Sequence, residues 1–278
     1  MDIVSVASPC DHDEIVAFLE ARGLVENVWL LREVGWASRS PDIWRVELCR
    51  REGTLVGVAA ICDFDKIPVG PSPRPQHQYE ASMECVERQA VEALVGSLPV
   101  GVEGRFSLLC PVAREHFEAA PGVERGHTDP HFTVSAERFR PVAGEEVMEL
   151  TAADAELFEG CECGAEGDPL SSVRDGTGRK FAILRSGRVS TSATMCPLLE
   201  GGGTGGGVMA ICGVFTESQY RNAGLGKRLV SHVTELILRD GHGPLYWTEP
   251  DNLASQALAK SLGYWQFGTM AVYRWCKP

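Results

Sequence analysis

The stretch YRNAGLGKRL, Tyr220 to Leu229, constrains the fold most, because it sets two glycines, an arginine before them and a Lys-Arg pair after them at the start of a helix. Downstream, Leu229, Val230, Val233, Leu236 and Ile237 recur at the spacing of one face of a 3.6-residue period, and Gly241 is placed to end it. A helix is therefore expected from near Leu225. Upstream, VMAICGVFT is a nearly continuous apolar run rich in β-branched and aromatic residues, the pattern of a buried strand. The order strand, glycine loop, helix gathers backbone N–H groups that lack an intrahelical acceptor and adds the positive end of the helix dipole. Glycine lets an anion approach the backbone and reaches positive φ at little cost. Such a turn suits a phosphate or pyrophosphate.

Neither G-x-x-x-x-G-K-[ST] nor G-x-G-x-x-G fits these residues. What remains is R-x-x-G-x-G, as Arg221-Asn222-Ala223-Gly224-Leu225-Gly226. This resembles the coenzyme A pyrophosphate loop of the GNAT superfamily of acyltransferases, whose pattern is Q/R-x-x-G-x-G/A. Further on, YWTEPDNLASQALAKSLGY resembles the same family's second signature: Asn252 stands at the Asn that opens a helix, and Lys260, Leu262, Gly263 and Tyr264 match the helix end. The resemblance covers Phe181 to Trp275.

Composition narrows the partners. A hydrophobic fraction of 44% with 23% charged residues is that of a folded globular protein. A formal net charge of −12 argues against a broad grip on nucleic acid or an anionic membrane, since both demand a basic face. Of the ten cysteines, Cys49, Cys62, Cys110, Cys196 and Cys212 lie in apolar runs, and only Cys161 and Cys163 are closely spaced. With no C-x-x-C pair and no third ligand beside HTDPH, no metal is expected. With neither a signal peptide nor a long apolar run, the expected location is the cytoplasm, with reduced thiols. The expected assembly is a monomer or homodimer.

The chain order predicts two domains. MDIVSVA reads as a strand and DHDEIVAFLEARG as a helix, with Asp11 and Glu14 at the spacing of a capping pair. IWRVELCRREGTLVGVAAICDF reads as a hairpin turning at Glu52-Gly53, PVGPSPRPQHQ as a Pro-rich loop and ECVERQAVEALVGSL as a helix. RFSLLCPV, AREHFEAA and HFTVSAERF follow as strand, helix and strand. This series resembles the GNAT order but contains no Q/R-x-x-G-x-G, so residues 1–140 are read as a degenerate GNAT-like domain without the coenzyme A loop; an unrelated α+β domain is the alternative. RPVAGEE (140–146) is the expected linker, and 141–278 the GNAT domain proper. There VMELT reads as a strand, AADAELFEG as a helix, KFAILRSGRVSTSATMCPLL as a hairpin turning at Ser186-Gly187, and EGGGTGGG as a flexible hairpin tip. The fold class implied is mixed α/β (α+β): two GNAT-like domains in tandem, each a mostly antiparallel mixed sheet flanked by helices.

The resemblance also implies a site. Acyl thioester would lie in a gap where two neighbouring strands splay, its pantetheine arm along the backbone of Val214, Phe215 and Thr216. Its pyrophosphate would rest on Arg221, Asn222, Ala223, Gly224, Leu225, Gly226 and Lys227, with Asn252 and Ser255 binding from the opposite side. The activity implied is transfer of acetyl from acetyl-CoA to a primary amine of a small molecule or peptide, by direct attack in a ternary complex. The chain departs from the family at two positions: the usual tyrosine proton donor is replaced by Ala259, and Trp247 stands where some members carry a glutamate base. Three readings follow. Positioning alone suffices; or other groups substitute, with Glu249 as base and Tyr264 as acid, and Glu217, Tyr246 or Ser255 also in reach; or the domain binds coenzyme A without turnover.

Overall fold

Glu52-Gly53 and Ser186-Gly187 both take left-handed backbone, with φ of 51° and 82° in the first pair and 51° and 75° in the second. That twist joins antiparallel strands in tight hairpins, and each pair sits at the turn expected for it. The computed structural model describes residues 2–67, 77–144, 146–164, 167–200 and 206–278. Most of the Pro-rich loop, Glu145 of the expected linker and the centre of the Gly-rich hairpin tip lie outside the described residues.

The chain forms two compact units, one of residues 1–129 with 268–278 and the other of residues 130–267. The first unit holds β1 (Asp2–Val6), α1 (His12–Glu20), α2 (Val28–Arg39), β2 (Trp44–Arg51), β3 (Thr54–Asp63), β4 (Tyr79–Cys85), α3 (Arg88–Ser97), β5 (Glu103–Leu108) and α4 (Pro111–Ala119). Most of the final strand of the chain, β12 (Trp265–Cys276), completes it by pairing antiparallel with β5 from Ala271↔Leu108 to Cys276↔Glu103. The order is β1-β2-β3-β4-β5-β12, antiparallel except for β4 beside β5. β12 also supplies core residues: Tyr273 stacks on Phe117 at 5.8 Å and Trp275 Nε1 donates to the Pro121 carbonyl at 3.1 Å. The last eleven residues, expected in the second domain, thus pack in the first unit.

Several local expectations change. Asp11 does not cap α1 with its side chain; it accepts from Ser8 N and Oγ instead, and with Glu14 it pairs with Arg50. VWLLREVGWASR folds as α2, a helix not anticipated, which buries Val28, Leu30, Leu31 and Val34 and follows α1 through Asn27, whose Nδ2 donates to the Leu19 and Gly23 carbonyls. The expected helix from Glu84 begins only at Arg88, because Tyr79–Cys85 pairs with β3 as β4. Between β4 and α3 stand only Val86 and Glu87, neither of them glycine.

The second unit takes up β6 (Glu124–Thr133) at its end, then β7 (Met148–Leu150), α5 (Ser171–Arg174), β8 (Arg179–Arg185), β9 (Arg188–Leu199), β10 (Val208–Thr216), α6 (Leu225–Arg239), β11 (Gly243–Trp247) and α7 (Leu253–Ser261). Its strand order is β6-β11-β10-β9-β8-β7, with β10 and β11 parallel and the other described pairs antiparallel. α6 lays Leu229, Val230, Val233 and Ile237 on a core with Phe181, Ile183, Ile211 and Tyr246. Two expectations differ here: AADAELFEG forms a 3-10 turn over Asp154–Phe158, and Arg140 and Val142 of the expected linker are pinned by hydrogen bonds to the Leu262 carbonyl and Ser231 Oγ. Among the described residues no helix is long and apolar enough to cross a membrane.

Candidate functional site

The parallel pairing of β10 with β11 runs from Val208↔Gly243 to Ile211↔Tyr246, yet β10 continues to Thr216. Beyond Ile211 no pairing with β11 is described, and β11 itself ends one residue on, at Trp247. On its other side β10 stays paired to β9, but the register shifts between Cys212 and Phe215, where Gly213 takes φ of 57°. A bulge of this kind bends the strand and re-aims its backbone. Val214, Phe215 and Thr216, the expected pantetheine strand, lie at this bent, half-unpaired end. Thr191 fixes them from β9: its hydroxyl donates to the Phe215 carbonyl at 2.6 Å and lies 2.9 Å from Thr216 Oγ1. Nothing in the sequence pattern marks Thr191, because its partners are set by long-range register.

After Thr216 the chain makes one 3-10 turn over Ser218–Tyr220 and then the glycine loop. Asn222 is left-handed at φ 62°, and Gly224, the N-cap of α6, at φ 78°. With glycine at the N-cap no side chain covers the helix end, so the amides of Leu225, Gly226 and Lys227 have only an external acceptor to find. A Cβ on Gly226 would lie 3.3 Å from Thr216 Oγ1, so a larger residue there would crowd Thr216. Leu225 is buried and offers only its amide. Arg221 turns back, its Nε donating to the Thr216 carbonyl at 3.0 Å and a guanidinium nitrogen 3.7 Å from Glu162, and so braces the loop. Glu217, considered from sequence as a base, is buried and accepts the backbone N–H of Glu162 at 2.8 Å, which commits it to structure.

Asn252 opens α7 as expected, its Oδ1 accepting from Ser255 N at 3.0 Å. Ser255 Oγ lies 2.6 Å from the Tyr246 hydroxyl, which joins α7 to the last residue of β11 paired with β10. Burial raises the Tyr246 phenol above its ordinary value, with the Ser255 hydrogen bond opposing.

The two expected catalytic groups are not brought together. Tyr264 is 3% exposed in the core, its hydroxyl 2.8 Å from Thr234 Oγ1 and its ring 6.0 Å from that of Tyr246. Burial drives its phenol far above the usual range, so it is a packing residue with no path to a leaving group. Glu249 lies past the end of β11, not on a strand face with Trp247, and is exposed. Trp247 stacks with the buried His131 at 6.0 Å, and Ala259 is wholly buried.

Residues 146–264 match the acetyltransferase (GNAT) family. A search of curated proteins finds no match. Solved structures similar over nearly the whole chain include a Drosophila protein (14% identity, 99% of this chain and 98% of that one, TM-score 0.60). A GNAT-family acetyltransferase from Colwellia psychrerythraea is similar as well (11% identity, 98% of both chains, TM-score 0.57). So is a tandem GNAT protein from the clavulanic acid biosynthesis pathway (13% identity, 100% of this chain and 99% of that one, TM-score 0.53). At such identities the likeness is one of fold. It extends over the first unit, where two residues join β4 to α3, against the eight, 217–224, that join β10 to α6 in the second. The second unit thus carries a domain of the acetyltransferase (GNAT) family, and the first unit is GNAT-like in fold without the phosphate loop.

Proposed function

We propose that this protein, an acyltransferase by family, is an acetyl-CoA-dependent N-acetyltransferase that moves the acetyl group to a primary amine of a small molecule or peptide. The observation that carries this reading is the run of β10 past its last pair with β11, Ile211↔Tyr246, directly before a glycine-capped helix. The pantetheine arm would run along the free edge of Val214 to Thr216. Pyrophosphate oxygens would accept from the amides around Gly224 to Lys227, and Gly224, where a Cβ would meet nothing within 4 Å, leaves the helix end open to that group.

An amine held in the gap adds to the thioester carbonyl, and a backbone N–H near Phe215 or Thr216 would meet the developing oxyanion. The added nitrogen gives up a proton to solvent, collapse breaks the C–S bond, and the expelled thiolate takes up a proton in return. With Tyr264 in the core and Ala259 at the customary donor position, the chain supplies positioning in place of a dedicated acid, an effect able to contribute about 7 to 11 kcal/mol. A thiol of pKa about 8.5 leaves without a donor at modest cost. The same two observations motivate a second reading, a coenzyme A-binding regulatory protein without turnover. Acceptors would be free amines; neither nucleic acid nor membrane is a partner in this reading, which works as a monomer or homodimer.

Calorimetric titration with acetyl-CoA, followed by thiol-release assays against polyamines, amino acids, aminoglycosides and peptide N-termini, separates these readings. Binding with amine-dependent thiol release supports the transferase. Binding with no release from any amine favours the regulatory protein, and absence of binding removes both.

A further inference from the structure

The first unit, which lacks the phosphate loop, contains a pocket of about 630 Å³ that the reading above leaves unused. Arg32, Glu33 and Trp36 of α2 line it, together with Trp44 at the start of β2 and Phe64 just after β3. Glu80 and Arg105, at the starts of β4 and β5, complete the polar lining.

Two polar atoms of these lining residues, Arg32 Nε and Glu33 Oε2, are buried behind the pocket surface and have no hydrogen-bond partner among the described residues. Buried polar groups are nearly always paired, so two orphans on one pocket wall point to something that pairs them. Glu33 is 8% exposed, and its other oxygen accepts from Ser82 Oγ at 3.2 Å. Burial pushes its carboxyl up to about 8, and the charge of Glu80 acts in the same sense, against the Ser82 hydrogen bond and the Arg32 charge. At neutral pH Glu33 is therefore mostly a neutral acid with an O–H to donate. Arg32 stacks against Trp29 and Trp36, its guanidinium carbon 4.5 and 4.4 Å from the ring centres. Burial lowers its pKa, but a guanidinium keeps its proton in a protein.

The lining has an excess of positive charge. Glu80 accepts from Arg105 at 2.6 Å and from Ser107 at 3.0 Å, which leaves Arg32 and the exposed Arg39 without a carboxylate on the pocket wall once Glu33 is neutral. Two donors on adjacent lining residues of α2, one cationic and one neutral, call for an acceptor with negative charge and two oxygens. The Trp36 and Trp44 rings, 5.4 Å apart with their planes at 48°, offer an angled aromatic wall beside them, against which one flat ring can stack on one face and meet the other edge-on. A cationic amine would meet the wrong sign, and a phosphate would bring a third oxygen with no donor assigned to it.

We propose that this pocket binds a small planar carboxylate of the aromatic-acid class, its carboxylate held by the Arg32 guanidinium and the Glu33 carboxyl and its ring lying against Trp36 and Trp44. The test is calorimetry on the full chain at pH 7 with 2-naphthoate as probe and 2-naphthamide and inorganic phosphate as controls. The expected result is saturable binding of one 2-naphthoate per chain, at least tenfold weaker for the amide, unaffected by equimolar phosphate, and weakened at least tenfold in Arg32→Gln. In Glu33→Gln, whose amide still donates, the loss stays within about threefold. Equal affinity for acid and amide, displacement by phosphate, undiminished binding in Arg32→Gln, or no saturable binding at millimolar 2-naphthoate would each overturn the proposal. Should Arg32→Gln fail to fold, the acid and amide comparison on the unaltered chain decides alone.

Discussion

Thr216 Oγ1 lies 3.3 Å from the point that a Cβ on Gly226 would occupy, whereas a Cβ on Gly224 would meet nothing within 4 Å. The two loop glycines are thus required for different reasons. Gly224→Ala places an L-residue at φ 78° and is expected to cost about 1 to 2 kcal/mol of stability, read by urea unfolding. Gly226→Val crowds Thr216 instead: acetyl-CoA affinity is expected to fall at least tenfold by calorimetry, with a smaller change in unfolding midpoint.

Restoring a tyrosine at the family's donor position is not expected to rescue catalysis. Ala259 is wholly buried in the cluster that holds Leu262 and Tyr264, so Ala259→Tyr must displace core neighbours, a change that typically costs about 1 to 3 kcal/mol. Unfolding curves and thiol-release rates on the same preparation check this; a faster, equally stable variant would show that the site does admit a phenol.

Exposed and beyond the end of β11, Glu249 is expected to be dispensable. Thiol release in Glu249→Gln should remain within about twofold of the unaltered enzyme, with the same pH profile. A tenfold loss at neutral pH that disappears at high pH would restore it as the base.

The loop and both hairpin turns were legible in the sequence because their signals are local: Gly224, Glu52-Gly53 and Ser186-Gly187 need particular backbone angles that few residues take. What stayed hidden was set at a distance. Tyr79–Cys85 carries a spacing that continues into a helix, and only its pairing with β3 makes it a strand. α2 has glycine and two tryptophans inside it and a cap without a side-chain bond, so periodicity alone did not mark it. Tyr264 matched a motif, yet its direction follows from Thr234, thirty residues earlier. The pairing of Cys196 with Cys212 and the orphan atoms on Arg32 and Glu33 depend on tertiary packing that no motif encodes.

Glu33 gives stability a specific pH dependence. Its carboxyl titrates near 4.5 when the chain is unfolded and near 8 when folded, so the folded state holds the extra proton between those values. Its contribution is complete below 4.5, declines as pH rises and is gone above 8. Glu33→Gln should flatten that part of the stability curve, so the difference in unfolding free energy between variant and unaltered chain moves in favour of the variant from pH 5 to pH 8 (about the window set by the two values). A constant difference across that range would show that folding does not raise the Glu33 carboxyl.

Cys196 is expected to be the most reactive of the partly buried thiols. Its sulfur lies 3.4 Å from that of Cys212, whose S–H stabilises a Cys196 thiolate, and the buried Lys180 ammonium adds to this against the cost of burial. Burial pushes Cys163 the other way, to about 11. Mass-spectrometric mapping after brief iodoacetamide treatment at pH 7 should find Cys196 labelled well ahead of Cys163 and Cys212. Cys212→Ala should move half-maximal labelling of Cys196 to higher pH.

Because β12 follows residues 130–267 in the chain and pairs with β5, the second unit is synthesised in full before the first is complete. Residues 1–129 precede it but stay one strand short, with the β5 edge bare and the places of Tyr273 and Trp275 unfilled, until β12 has been made. Residues 130–267 are all available by then. A premature stop between residues 267 and 271 would therefore spare the matched acetyltransferase segment and strand the first unit with a sticky sheet edge, the kind of surface that chaperones and proteases recognise.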